Sequence, residues 1–86
     1  MYDQKFAGIV QVDVHGMTKH KAKVYIDSKL RQAKGDVYRI RVVHGYRGGT
    51  ELREMIRKEY QKHPKVKRVA WGLNPGVTEL ILRELY

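Results

Sequence analysis

The sequence predicts an α/β fold: a two-layer βαβαββ sandwich with a four-stranded mixed sheet and both helices on one face. Three observations carry this reading. Two strand-like runs, residues 9–14 and 37–43, each end in His-Gly, at His15-Gly16 and His44-Gly45, and each leads into a segment with helical periodicity. Both runs alternate. Val10, Val12 and Val14 share one side against Gln11 and Asp13, and Tyr38, Ile40 and Val42 oppose Arg39 and Arg41. Strands covered on both faces would be apolar throughout, so one face is open, and right-handed crossovers then place both helices on the other.

The elements follow in order. Residues 1–8 form a polar N-terminal extension, and residues 9–86 form the domain. After the first strand, Thr18 is an N-cap residue and Gly35 suits the position beyond the helix end. Between them Ala22, Ile26, Leu30 and Ala33 make one apolar stripe, leaving Lys19, Lys21, Lys23, Lys29 and Arg31 mostly to solvent. The second strand leads to a glycine-rich loop and then to Thr50, which caps the second helix. Leu52, Met55, Ile56 and Tyr60 form the buried stripe of that helix, and His63-Pro64 ends it. Residues 66–71 read as a third strand, with Trp71 assigned to core or hairpin packing because it shares the parity of Val69. Leu73-Asn74-Pro75-Gly76 is a turn, and residues 77–85 are the fourth strand.

Composition narrows the function. Eighty-six residues suffice for one small domain, and 42% hydrophobic residues support a core. The absence of cysteine excludes disulfides and thiolate metal sites. No apolar run approaches the ~20 residues that span a bilayer, and the polar start is no signal peptide, so a cytoplasmic monomer without a membrane partner is expected. Eighteen Lys and Arg against nine Asp and Glu give a formal charge of +9, concentrated between residues 19–47 and 53–68. A domain this basic points to a polyanion, and nucleic acid is the expected partner.

If the two strands are parallel, both His-Gly turns fall at the carboxyl edge of the sheet, where open α/β sheets bind ligands. Asp13, His15 and His44 are the candidate catalytic groups, since a carboxylate and two imidazoles can move protons at a phosphodiester. Gly16 and Gly45 permit sharp turns and close phosphate approach. The loop Gly45-Tyr46-Arg47-Gly48-Gly49-Thr50 precedes a helix N-terminus, whose free N–H groups favour an anion, and Arg47 adds a bidentate contact. Lys19, Arg39 and Arg41 extend the candidate binding surface, and Tyr46 is either a stacking surface or an ordinary loop residue. The loop matches neither a Walker nor a dinucleotide-binding pattern. No metal site is assigned, because a second carboxylate is missing from the patch. No cofactor is implied, and a divalent metal enters only if DNA is the substrate. His20 and His63 read as helix-surface residues without a role.

These residues resemble a known family. Val12-Asp13-Val14-His15-Gly16 is similar to the Leu-Asp-Leu-His-Gly signature of the Smr (small MutS-related) domain, and His44-Gly45-Tyr46-Arg47-Gly48-Gly49 to its His-Gly-x-Gly loop. Leu52-Arg53-Glu54, His63-Pro64 with Val66, and the closing hairpin also fit. Two valines replace leucines, and Tyr46-Arg47 stand where the common loop has one residue. The resemblance implies that the fourth strand is antiparallel and inserted beside the second. It also implies nucleic-acid binding, endonuclease activity on DNA or RNA in many members, and action at stalled ribosomes in some. The functional expectation is an Smr-type endonuclease cleaving RNA or DNA phosphodiester bonds. The alternative is a non-catalytic module that binds nucleic acid or ribosomes.

Overall fold

A computed structural model describes residues 3–6 (backbone), 8–45, 50–71 and 74–84. The elements are β1 (Asp3–Phe6), β2 (Ile9–Asp13), α1 (Lys19–Gln32), β3 (Arg39–Val43), α2 (Glu51–Tyr60), β4 (Arg68–Ala70) and β5 (Val77–Ile81). One mixed sheet has the order β1-β2-β3-β5-β4. Strands β2 and β3 are parallel, and β5 lies between β3 and β4, antiparallel to both. The four expected strands and the inserted last strand are therefore all present.

A further strand joins them. β1 pairs antiparallel with β2, from Asp3 opposite Val12 to Phe6 opposite Ile9, so residues 3–6 of the N-terminal extension belong to the sheet. The sequence of β1, Asp-Gln-Lys-Phe, has no apolar alternation, and pairing alone makes it a strand. Gly8, at φ 94°, makes the tight return into β2. A methyl group there would lie 2.7 Å from the Tyr38 ring, and the Gly8 carbonyl accepts a hydrogen bond from Tyr38 N at 2.9 Å.

The core lies between the helices and one sheet face. Val12, Val14, Ile40, Val42 and Leu80 from the sheet meet Ala22, Ile26, Leu30, Ile56 and Tyr60 from the helices, all fully buried. Each large aliphatic side chain contributes about 1.5–3 kcal/mol by leaving water. Tyr60 also bridges the helices, its hydroxyl donating to Asp27 Oδ1 at 2.6 Å with the Lys23 carbonyl sharing that proton at 3.2 Å. Burial, reinforced by Asp27, raises its pKa.

Several element ends differ from expectation for local reasons. Thr18 caps α1 as expected, accepting from Lys21 N at 3.2 Å, but the helix stops before Gly35. Ala33 already turns extended, its N–H donating to the Lys29 and Leu30 carbonyls, and Lys65 Nζ adds donors to the Leu30 carbonyl at 2.6 Å and the Ala33 carbonyl at 3.3 Å. A cation thus does at this helix end what a left-handed glycine would do. The second strand begins at Arg39 rather than residue 37, since Val37 N closes a turn onto the Lys34 carbonyl. The last two strands are shorter than expected: β4 spans three residues and β5 ends at Ile81.

Candidate active site at the carboxyl edge of the sheet

The parallel register pairs Asp13 with Val43. Continued by one step, it sets Val14 beside His44 and His15 beside Gly45. A methyl group on Gly45, which sits at φ 77°, would lie 3.5 Å from His15 Cβ. The two His-Gly turns do meet at one edge. They are, however, one residue out of step, and side chains alternate faces along a strand. This offset separates the histidines.

Asp13 and His15 stand on the open side. Asp13 Oδ1 accepts from His15 N at 3.1 Å and pairs with His15 Nδ1 at 2.5 Å. Burial works against the Asp13 charge, yet the two bonds from His15 outweigh it and hold the carboxyl below its ordinary range. With Nδ1 donating to the carboxylate, Nε2 is the basic nitrogen, on a side chain that is 67% exposed. Gly16, at φ 80°, turns the chain immediately beyond, and exposed Lys19 opens α1 at the same end.

His44 faces the other way. It continues the buried parity of Ile40 and Val42, is 4% exposed, and bonds through both ring nitrogens: Nδ1 to the Gly45 carbonyl at 2.7 Å, Nε2 to Thr78 Oγ1 at 2.9 Å. Burial pushes its pKa down. The bond to Gly45 opposes this, and the positive Arg57 and Arg53 add to the lowering. A neutral Nδ1–H ring satisfies every partner. The Thr78 hydroxyl donates to Nε2 and itself accepts from Arg57 Nε at 3.1 Å. The ring expected to be a second acid–base group is thus buried, with both nitrogens occupied within the fold. His44 N and Gly45 N both donate to the Gly76 carbonyl, at 2.9 and 3.0 Å, tying the turn to the start of β5.

The binding residues divide likewise. Arg39 and Arg41 do lie on the open face, but Glu79, opposite Arg41 on β5, takes Arg39 Nη1 at 2.8 Å and Arg41 Nε at 2.9 Å. Together the three carry one net positive charge. Thr50 opens α2 without capping it through its side chain, because its hydroxyl donates to Glu54 Oε2 at 3.0 Å. Glu51 and Glu54 occupy the first turn, where they compensate the helix dipole that was expected to attract an anion. Tyr46, Arg47, Gly48 and Gly49 lie outside the described residues. Among the described residues no group of three or more His, Asp or Glu is placed to hold a metal. His63 accepts from Lys65 N at 3.1 Å, and His20 lines a groove on α1.

Sequence reasoning missed one cluster. Arg57 lies over the Trp71 ring at 4.2 Å, and Trp71 is 51% exposed rather than packed in the core. Arg53 precedes Arg57 by one helical turn, and that four-residue spacing was the available signal.

Comparison with known proteins agrees with this architecture. The solved Smr domain of Thermus thermophilus MutS2 superposes with a TM-score of 0.74 at 30% identity, covering 86% of this chain and 98% of that one. Endonuclease MutS2 of Lactococcus lactis is 36% identical over 68 residues, 77% of this chain. Ribosome rescue factor SmrB of Pasteurella multocida is 35% identical over 80 residues, 86% of this chain. The matches span 9% and 46% of those two proteins' own lengths. Among the described residues no helix is long and apolar enough to cross a membrane. The Smr domain family model matches residues 12–76, from the strand that carries Asp13 to the glycine that anchors the His44 turn, and the chain belongs to the Smr domain family.

Proposed function

We propose that this domain is an endonuclease that binds nucleic acid along the carboxyl edge of its sheet and cleaves phosphodiester bonds. The observation that carries the reading is the Asp13–His15 pair: a carboxylate holding Nδ1 of a solvent-facing imidazole. A carboxylate so placed sets the tautomer and supports the imidazolium that forms when Nε2 takes a proton. The likeness to Endonuclease MutS2 and the +9 charge support the same reading.

The chemistry of this pair suits RNA best. His15 Nε2 takes the proton of a ribose 2′-hydroxyl, the 2′-oxygen attacks the phosphorus, and the bond to the 5′-oxygen breaks. The leaving oxygen receives a proton from water, giving a 2′,3′-cyclic phosphate and a 5′-hydroxyl. With DNA, water must be the nucleophile, which asks more of a site with one carboxylate.

The deciding assay incubates pure protein with labelled single- and double-stranded RNA and DNA, with and without chelator. RNA cleavage that persists in chelator and is blocked by one 2′-deoxy substitution is expected. A second reading, binding without cleavage, draws on the burial of His44, which leaves His15 the one imidazole of the paired motifs facing solvent. SmrB's name as a ribosome rescue factor points to a ribosomal setting for that reading. Tight binding with no cut in any of the four substrates would establish it.

A further inference from the structure

Val24 and Trp71 are the large hydrophobic side chains that the described residues expose, at 54% and 51%. Their settings differ. Val24 lies on a basic helix surface, whereas Trp71 has one ring face covered by the Arg57 guanidinium, 4.2 Å from the ring centroid. That guanidinium is itself held, since Arg57 Nε donates to Thr78 Oγ1 at 3.1 Å and Thr78 is fully buried. The indole is thereby fixed at the molecular surface by a contact that reaches into the core. A cation on one face of an indole, with the rest of the ring toward solvent, is a ready stacking surface for a flat aromatic group.

The surroundings select which group. Arg53 stands one turn of α2 before Arg57, so the helix face that reaches the indole carries two guanidiniums. Trp71 directly follows β4, at the end of the sheet where Gly76 opens into β5 and where β2 and β3 deliver His15 and Gly45. Along the sheet β2 and β4 are three strand spacings apart, about 14 Å, with His15 on the open side and the Arg57–Trp71 pair on the helix side of that end.

We infer that Trp71 is a base-stacking platform for single-stranded nucleic acid, with Arg53 and Arg57 holding the adjoining phosphates. The assignment rests on the nucleic-acid reading above and adds to it the class of strand and the place it docks. A base within a duplex is stacked on both sides and offers its face to no side chain, whereas an unpaired base offers one freely.

Trp71 is the chain's one tryptophan, so its emission reports this site alone. The test titrates the protein with a fluorescein-labelled uridine decamer and a labelled RNA duplex of equal length. Anisotropy follows binding anywhere on the protein, and unlabelled oligonucleotides in parallel follow Trp71 emission. The expected result is saturable quenching by the decamer with the same Kd as anisotropy, and weak quenching by the duplex. Trp71→Ala is expected to lose about tenfold in decamer affinity and little in duplex affinity, with Trp71→Tyr recovering most of the loss. Circular dichroism melts confirm that the variants fold. Decamer binding without a change in Trp71 emission, equal quenching by the duplex, or Trp71→Ala with unchanged decamer affinity would each overturn the platform while leaving nucleic-acid binding intact. An absence of binding to either strand type at low salt would overturn both.

Discussion

Asp13 and His15 are joined twice through one oxygen: Oδ1 accepts from both the backbone N–H and the ring Nδ1 of His15. The backbone bond fixes the turn, and the ring bond fixes the tautomer. Asp13→Asn and His15→Ala are each expected to lower cleavage by about 10²–10⁴, the usual contribution of general acid–base groups, with affinity within a few-fold of wild type. Cleavage rates and anisotropy on the same oligonucleotide check this. Undiminished cleavage by the double variant would remove the pair from the mechanism.

His44 is expected to matter through stability. Truncation to Ala leaves the Thr78 hydroxyl and the Gly45 carbonyl without their partner, at a cost of about 1–3 kcal/mol. His15→Ala, on an exposed side chain, is expected to stay within about 0.5 kcal/mol of wild type. Urea denaturation separates the two. A His44→Ala protein as stable as wild type but unable to cleave would restore His44 to the chemistry.

The same histidine gives the domain an acid sensitivity. Its folded pKa lies below the ordinary 6.5, so above that pH both folded and unfolded states are neutral and stability is flat. As pH falls below 6.5 the unfolded chain takes up the proton first, and stability declines until the folded pKa is passed. Asp13 acts in the same direction lower down. Its folded pKa is also depressed, and its contribution is lost as pH falls from about the ordinary 3.8. Urea midpoints at pH 8 and pH 5 are expected to fall for wild type, and to fall less for His44→Gln.

Glu79 holds two cations, and its removal is expected to release them. Glu79→Gln should strengthen single-strand binding at low salt and steepen the log–log salt slope by up to about 1.4, since each phosphate contact contributes ~0.7. Arg39→Gln or Arg41→Gln should change the slope little. Salt titrations of Kd distinguish these outcomes, and an unchanged slope in Glu79→Gln would mean the open face lies outside the bound strand's path.

Ile40 is fully buried on the central strand β3. Ile40→Ala is expected to cost about 2–5 kcal/mol, and a loss below half a kcal/mol would contradict the packing of this face.

Much of this architecture was legible in the sequence because alternation along a strand states which side faces the core. Val12, Ile40 and Leu80 meet Ala22, Ile26, Leu30 and Ile56 as their spacing requires. The parity that buried Ile40 and Val42 also applied to His44, but the matching His-Gly pairs suggested matching roles. Only the register, Asp13 beside Val43, shows the one-residue offset. β1 and the Glu79 clamp were hidden for a related reason. Both depend on cross-strand partners, which a local pattern does not encode. Trp71 shared the parity of a strand that ends one residue before it, so its exposure came from where pairing stops.

The contact of Lys65 with the end of α1 has a consequence for the order in which the chain assembles. Leu30 and Lys65 are 35 residues apart, and Tyr60 reaches back to Lys23 over 37. During synthesis the first helix is finished well before the residues that close it emerge. The Leu30 carbonyl accepts locally from Ala33 N, and it gains its second, charged donor only when Lys65 has been made and has folded back. The local cap and turn of the first helix are thereby supplemented by contacts of high sequence separation, which close loops of more than thirty residues and belong to the late part of assembly.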